Sequence, residues 1–274
     1  TVAFGKSSHA EGRYTSASGL VAHSEGTGTV ASGLASHAEG ILSLASGNYS
    51  HAEGRYTTSS GESSHAEGSN NIASGDFSHA EGSNNIASGE SSHAEGSGSE
   101  AIGLGSHAAG FETVASGLYS STEGYRVSAS GDYSYAGGLA TYASGTYSIA
   151  TGHQTTASGD WSQASGYLTT AAGQYAHTEG DQTTATGRWA HAEGYFSRAE
   201  ADYSHVEGHF TKTPSSTTGG HAEGYLTTAS GDYSHTEGYN TQTNSTGDHA
   251  EGLDTFANGN YSHTEGGNTR TNGQ

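Results

Sequence analysis

A 14-residue repeat runs through the chain and limits what it can fold into. Aligned on Ser-His-Ala-Glu-Gly, the motif glycine recurs every 14 residues from Gly12 to Gly208, which gives fifteen coils in register. The next interval, to Gly224, is 16 residues, and the 14-residue spacing then returns through Gly266, making nineteen coils. Because one short unit cannot bury its apolar side chains alone, a fixed period indicates units stacked into a solenoid. We predict one continuous solenoid domain, with residues 1–208 as in-register coils, 209–224 as a coil with a two-residue insertion, and 225–274 as three further coils and a trailing half-coil.

A second glycine series indicates two bends in each coil. It lies seven residues out of phase with the first, runs from Gly5 to Gly187, and returns at Gly231, Gly259 and Gly273. A helix is disfavoured, because each interior glycine costs roughly 1 kcal/mol relative to alanine. Only 30% of the residues are hydrophobic, so an ordinary globular core is excluded as well. The sequence therefore predicts an all-β parallel roll with two short strands and two tight bends per coil.

Large and small residues alternate along each predicted strand. In the first strand, which carries the Ser-His-Ala-Glu-Gly motif, Ser234 and Thr236 share one face, and Tyr233, His235 and Glu237 share the other. In the second strand, Thr155 and Ala157 form the small pair. We expect these small residues to point inward and fill a narrow tube. Their hydroxyl groups would satisfy one another in ladders along the roll, where coils stack about 4.8 Å apart.

The outward face of the first strand carries three columns. Histidine fills fifteen of the nineteen slots, glutamate fills fifteen of the slots two residues later, and fourteen coils have both. Eleven coils place an aromatic residue two positions before the histidine slot: Tyr49, Phe77, Tyr119, Tyr133, Tyr147, Trp161, Tyr175, Trp189, Tyr203, Tyr233 and Tyr261. A middle band replaces histidine by Ser121, Tyr135, Ile149 and Gln163. Stacked carboxylates repel one another, and the neighbouring histidines are the expected partners.

This repeat, with its small-x-Ala-x-Gly half-turns at a period of 14, resembles the head repeats of the YadA-like trimeric autotransporter adhesins. It is also similar to repeats in phage tail-fibre-like proteins. The resemblance implies a left-handed parallel β-roll, a homotrimer around a threefold axis, and first strands that meet at that axis. The family has aliphatic residues where this chain has histidine and glutamate, so we expect a trimer interface of intersubunit His–Glu hydrogen bonds with aromatic rings beside them. The residues that represent this interface are His51, Glu53, His79, Glu81, His191, Glu193, His235, Glu237, Tyr133, Tyr147, Trp161 and Trp189.

Composition excludes several classes of function. The net charge of −20 would repel phosphate backbones, so no nucleic-acid partner is expected. No apolar run approaches the roughly 18–20 residues of a membrane span, so this segment is not expected to insert into a membrane. Cysteine is absent, which excludes disulfides and thiolate metal sites. Catalysis requires a unique cleft, whereas the same His–Glu pair recurs along a flat face, so we expect neither enzyme activity nor a cofactor.

Two ligand hypotheses compete with the structural interpretation of the columns. Imidazole and carboxylate groups bind zinc and related ions, but we interpret the columns as structural because nothing interrupts the repetition to define a closed site. Regular threonines such as Thr155 and Thr156 could order water, as an ice-binding protein does. Irregular residues such as Leu44 and Arg198 break that lattice, so ice binding is a minor alternative.

The stretch 209–220 holds the only proline and the inserted residues, and we expect it to bulge as a loop. A tolerated insertion is the favoured interpretation, and a recognition loop of His209, Phe210, Lys212 and Pro214 is the alternative. The chain begins in mid-coil without methionine and ends without a recognisable cap. We therefore expect a segment of a longer protein, or segments that stack end to end through their exposed strand edges.

Together these features predict a structural and adhesive surface fibre segment, extracellular on a bacterial cell. Its expected partners are copies of itself and a host matrix or surface ligand, bound through many weak, repeated contacts. The alternatives are a phage tail-fibre shaft, part of a virion, and a self-stacking extracellular filament subunit.

Overall fold

The computed structural model describes residues 1–272 and comprises two compact units, Thr1–Leu139 and Ala140–Gln274. Gly273, which the sequence places in the second glycine series, lies outside the described residues. Residues 1–272 form 39 short strands and no helix. The all-β class and the parallel β-solenoid of 14-residue coils are confirmed, and the left-handed sense stays a prediction.

Unit 1 contains two parallel sheets, one built from the first strands of its coils and one from the second strands. The first strands are His9–Ala10, His23–Ser24, His37–Ala38, His51–Ala52, His65–Ala66, His79–Ala80, His93–Ser97, His107–Phe111, Ser121–Tyr125 and Tyr135–Leu139. The second strands are Val2–Ala3, Ser16–Ala17, Val30–Ala31, Leu44–Ala45, Thr58–Ser59, Ile72–Ala73, Ile86–Ala87, Glu100–Ala101, Val114–Ala115 and Ser128–Ala129.

Unit 2 has the same two sheets. Its first strands are Ile149–His153, Gln163–Tyr167, His177–Asp181, His191–Tyr195, His205–His209, His221–Tyr225, His235–Tyr239, His249–Leu253 and His263–Gly267. Its second strands are Tyr142–Ala143, Thr156–Ala157, Thr170–Ala171, Thr184–Ala185, Arg198–Ala199, Lys212–Thr213, Thr228–Ala229, Gln242–Thr243, Phe256–Asn258 and Arg270–Asn272.

Within each unit, each strand pairs with the equivalent strand of the next coil, so that like residues lie above one another. In unit 1, His65 pairs with His79, an offset of 14 residues. The offset becomes 16 where the insertion falls, between His205 and His221 of unit 2. Register therefore follows the sequence repeat, and every outward slot becomes a column.

The interior consists of small side chains, as the alternation predicts. Ser234 and Thr236, at the start of a first strand, and Thr155 and Ala157, at a second strand, are at most 1% exposed. Stacked alanines of both sheets form continuous apolar clusters, and one of these extends from Ala66 to Ala115. Because small side chains fill the narrow space between the two sheets, most bulky side chains lie on the outside.

The predicted hydroxyl ladders are largely wrong. The Ser234 hydroxyl donates to the Gly231 carbonyl of its own coil at 2.7 Å, and the equivalent serine of most coils does the same. Buried threonines such as Thr155 and Thr227 have no hydrogen-bond partner for Oγ1 within residues 1–272. One of the few ladder contacts is Thr211 to Ser197, at 2.8 Å. Neighbouring backbone groups are already committed to pairing between coils, so most threonines contribute methyl packing and leave a polar atom unsatisfied.

The bends require three residues of left-handed backbone in each coil. In the coil that ends at Gly238, these are Leu226 at φ 57°, Tyr233 at φ 54° and Gly238 at φ 109°. Tyr233 therefore belongs to the bend and not to the first strand, which spans His235–Tyr239. The prediction that Tyr233 continues the strand and shares its face with His235 is wrong, because a bulky residue with positive φ is uncommon and period-two alternation resembles a strand.

An acidic residue before the aromatic slot caps the preceding coil, which the sequence interpretation missed. Asp202 accepts the Arg188 backbone N–H at 2.8 Å and its guanidinium at 3.0 Å. These contacts, the backbone hydrogen bond first, lower the pKa of the Asp202 carboxyl. Asp76 accepts the Glu62 N–H in the same way, at 2.8 Å. The recurring Gly-Asp-aromatic-Ser string was the available signal.

Candidate functional site

The histidine and glutamate columns lie on the outward face of the first-strand sheet of each unit, because the residues between them point inward. The histidine column consists of His9, His23, His37, His51, His65, His79, His93 and His107 in unit 1, and of His177, His191, His205, His221, His235, His249 and His263 in unit 2. The glutamates two residues later are half-buried beside them in most coils. Each column is thus one motif position displayed repeatedly along a sheet.

The imidazole rings stack on one another. From His23 to His93, successive ring centroids are 4.7–4.8 Å apart and the ring planes differ by at most 16°. In unit 2, His221 and His235 stack at 4.6 Å. Each ring covers the faces of its neighbours, and the Nε2 atoms along the column are inaccessible to solvent.

Histidine and glutamate approach each other within one chain, in two arrangements. His51 Nε2 lies 3.6 Å from a carboxylate oxygen of Glu53 in its own coil. His191 and Glu193, at 3.5 Å, and His235 and Glu237, at 4.0 Å, do the same. The other arrangement joins His79 to Glu67 and His93 to Glu81, each glutamate belonging to the preceding coil, at 3.6 Å and 3.4 Å. None of these contacts is a hydrogen bond, and the Nε2 atoms named here have no hydrogen-bond partner.

Burial favours the neutral form of several imidazoles in the column. The pKa of His51 is lowered from 6.5, first by burial and then by the neighbouring charge of His65. Burial, followed by adjacent imidazoles, also lowers the pKa of His37 and His191. At neutral pH these rings are therefore poor cationic partners for the carboxylates, contrary to the expectation from sequence.

Three neighbouring carboxyl groups, Glu39, Glu53 and Glu67, instead share protons. Hydrogen bonding to Glu67, then burial, and then hydrogen bonding to Glu39 raise the pKa of Glu53 to about 7. The same sharing lowers the pKa of Glu67, through the hydrogen bond with Glu53. A protonated Glu53 between two ionised neighbours relieves part of the repulsion that the sequence predicts for stacked glutamates.

The middle band carries neutral side chains, as the sequence indicates. In unit 1, Ser121 pairs with Tyr135, and the Tyr135 hydroxyl lies 3.4 Å from the Glu123 carboxylate. Burial and that carboxylate raise the pKa of Tyr135. In unit 2, Ile149 pairs with Gln163. Within each unit the backbone register continues through these coils while the ionisable column is interrupted.

The aromatic column runs along the bend before the first strand. In unit 1, Tyr119 and Tyr133 stack at 5.4 Å. In unit 2, Tyr147 stacks on Trp161 at 4.1 Å, and Tyr175 lies between Trp161 at 6.2 Å and Trp189 at 4.0 Å. These rings are roughly half exposed. The predicted aromatic column is present, but its residues lie on the bend, beside the histidine column of the first strand.

The middle coils match a known repeat. The family model of the YadA head domain repeat matches residues 129–188 in four overlapping segments: 129–155, 143–162, 150–176 and 164–188. These coils are YadA-like head repeats. The matched segment includes Tyr135, Ile149 and Gln163, three of the four slots where histidine is replaced. No curated protein matches the chain significantly.

A second ring column follows the motif glycine of several 14-residue coils and was not predicted. In unit 1, Phe111 stacks on Tyr125 at 5.0 Å. In unit 2, His209 stacks between Tyr195 at 4.7 Å and Tyr225 at 4.9 Å. The aromatic residues that directly follow the motif in several coils were the available signal.

The expected loop is shorter than the sequence suggested. His209 ends the strand His205–His209, and Lys212 lies in the strand Lys212–Thr213. Phe210 occupies a regular bend position and stacks on Phe196 at 5.2 Å. Residues 214–217 depart from the regular coil, in a turn where Thr217 donates to the Pro214 carbonyl. Three of the four candidate recognition residues thus belong to regular columns and strands.

Residues 1–272 include no helix of the length and apolarity that crossing a bilayer requires.

Proposed function

We propose that this chain is a non-catalytic structural fibre segment that self-associates as a homotrimer and mediates attachment at an extracellular bacterial surface. The observation that carries the proposal is the match of residues 129–188 to the YadA head domain repeat, within a parallel β-solenoid with in-register columns. A repeated His–Glu pair supports a structural role, since catalysis requires a single cleft with distinct groups.

The first-strand face is the proposed self-association surface. It presents half-buried imidazoles whose Nε2 atoms lack hydrogen-bond partners, next to exposed aromatic rings such as Trp161 and Trp189. A second copy against this face would cover the exposed aromatic rings and remove their apolar surface from water. The proposed interface residues are those assigned from the resemblance, from His51 and Glu53 to His235 and Glu237.

The mass in solution tests the trimer. Light scattering after size-exclusion chromatography is expected to give three times the chain mass of 27.7 kDa. A His191→Ala, Glu193→Ala variant should dissociate at higher protein concentration than the parent chain. The matched control, Thr170→Ala with Thr184→Ala, removes two outward residues of the second-strand sheet and should stay trimeric. A monomer at every micromolar concentration would overturn the proposed assembly.

Attachment is tested separately, on surfaces coated with extracellular matrix glycoproteins and on bare polystyrene. Many weak contacts from identical coils should give binding that survives washing, because release requires all contacts to break together. A quartz crystal microbalance would record the retained mass. Complete removal by buffer from every surface would contradict an adhesive role and leave the structural role standing.

A further inference from the structure

We propose that the histidine and glutamate columns of residues 9–95 bind divalent transition-metal ions of the zinc class, up to four ions per chain. Five groups of three side chains each offer one ligand atom, and the three atoms lie within 4.8 Å of one another. The groups are His9, Glu11 and His23; Glu25, His37 and Glu39; His51, Glu53 and His65; Glu67, His79 and Glu81; and Glu81, His93 and Glu95.

The arrangement of the groups sets the number of ions. The first four groups share no residue, whereas the fifth shares Glu81 with the fourth. Four ions can therefore bind to one chain at the same time. Each group spans two adjacent coils and neighbouring groups are offset by one or two coils, so neighbouring ions would be roughly 5–10 Å apart along the column.

The donor atoms fit zinc better than calcium or magnesium. Imidazole nitrogen and carboxylate oxygen coordinate Zn²⁺ at about 2.0–2.2 Å, which places the ligand atoms of a tetrahedral site roughly 3.4 Å apart. The observed Nε2-to-carboxylate distances, 3.6 Å at His51 and 3.4 Å at His93, are close to that spacing. Calcium takes 6–8 oxygen ligands and magnesium near-octahedral oxygen coordination, and neither set is present in these groups.

The nitrogen ligands have no competing partner. Nε2 of His23, His37, His51, His65 and His79 is buried and makes no hydrogen bond within the described chain. A buried polar atom without a partner is costly. A bound cation would supply that partner and would neutralise carboxylates that repel one another in the adjacent column.

Unit 2 provides a natural control. Its histidines approach glutamates at similar distances, for example 3.7 Å between His221 and Glu223. Residues 140–272 contain no comparable group of three. Zinc binding should therefore map to the amino-terminal coils. The groups lie within one chain, so the inference does not depend on the proposed trimer or on adhesion.

The test is the zinc content of the full chain, prepared without a polyhistidine tag, stripped with chelator and equilibrated with micromolar ZnCl₂. Elemental analysis and titration calorimetry should find about four zinc ions per chain, in the presence of excess Mg²⁺ and Ca²⁺. The variant His37→Gln, His51→Gln, His65→Gln removes two groups and should retain about two ions. Glutamine is compatible with this slot, since Gln163 occupies it.

The matched control, His205→Gln, His221→Gln, His235→Gln, changes the same slot in unit 2 and should still bind four ions. Far-UV circular dichroism establishes that each variant keeps its β structure. The proposal is overturned by less than one ion per chain, by an unchanged content in the first variant, or by an equal loss in the control. Scattering mass measured in the same samples shows whether a failure to bind zinc is separate from a failure to assemble.

Discussion

Glycine is the residue on which stacking depends. At Gly96, φ is 97°, and a Cβ would overlap the carbonyl oxygen of Gly110 in the next coil. Gly98 also has positive φ, 68°, but a Cβ there would meet only the Glu112 side chain, at 3.6 Å. Other coils place tyrosine, leucine or asparagine at the Gly98 position. The two glycines therefore have different roles. Gly96 is required by the contact between coils, whereas Gly98 is favoured only by its backbone conformation.

Substitution of these two glycines should have unequal effects. Gly96→Ala forces neighbouring backbones apart and is expected to lower the unfolding free energy by at least about 3 kcal/mol. Gly98→Ala should cost about 1–2 kcal/mol, the strain of a left-handed alanine. Urea unfolding followed by circular dichroism compares the two variants. Equal urea midpoints of the two variants would show that contact between coils does not exclude a side chain at position 96.

At the scale of the element, each coil is a weak unit that gains from its neighbours. Its strands are mostly two to five residues long, and the columns of rings connect one coil to the next. Tyr175 has a ring partner on both sides, Trp161 and Trp189. Tyr203 occupies the same slot, and no ring stacks on it within the described part of unit 2. The contribution of ring stacking to stability can therefore be measured by comparing Tyr175 with Tyr203, which occupy the same slot in different coils.

Tyr175→Ala is expected to lower the unfolding free energy by about 1–2 kcal/mol, because it removes two ring contacts worth about 0.5–1.5 kcal/mol each. Tyr203→Ala, the matched control, should change it by less than about 0.5 kcal/mol. Chemical unfolding monitored by near-UV circular dichroism gives both values, and the aromatic signal should weaken mainly in Tyr175→Ala. A larger loss in Tyr203→Ala would contradict stacking as the source.

At the scale of the whole molecule, the ionisable columns couple stability to pH. Burial, then adjacent imidazoles, lowers the pKa of His191, His221 and His249 from 6.5, with carboxylates of the neighbouring column opposing the change. The unfolded chain therefore takes up protons first as pH falls below about 6.5, and the stability contributed by these histidines is lost. Glu53 has the opposite sign, since its pKa of about 7 favours the folded state at low pH.

The histidines whose pKa is lowered outnumber Glu53, whose pKa is raised. The melting temperature should therefore be lower at pH 5.5 than at pH 7.5. Replacing His191, His221 and His249 by glutamine should reduce this difference, while His153→Gln with His209→Gln, outside the column, should leave it unchanged. Calorimetry in the presence of chelator excludes any contribution from metal ions. A melting temperature that rises on acidification would contradict the sign of the effect.

The sequence by itself determined the period, the all-β class, the inward small residues and the existence of the columns. These follow from glycine spacing and side-chain size, which act within a single coil and are repeated in every other coil. Residues such as Ser234 and Ala157 could therefore be assigned without coordinates.

Only the tertiary structure decided that Tyr233 lies in a left-handed bend, that Thr155 leaves its hydroxyl unpaired, and that His79 faces Glu67 of the preceding coil instead of Glu81 in its own. Each outcome depends on distances and rotamers between stacked coils, where neighbouring backbones compete for the same hydrogen bonds and rings cover one another. A repeat specifies which residues recur, but the separation of adjacent coils decides which atoms meet.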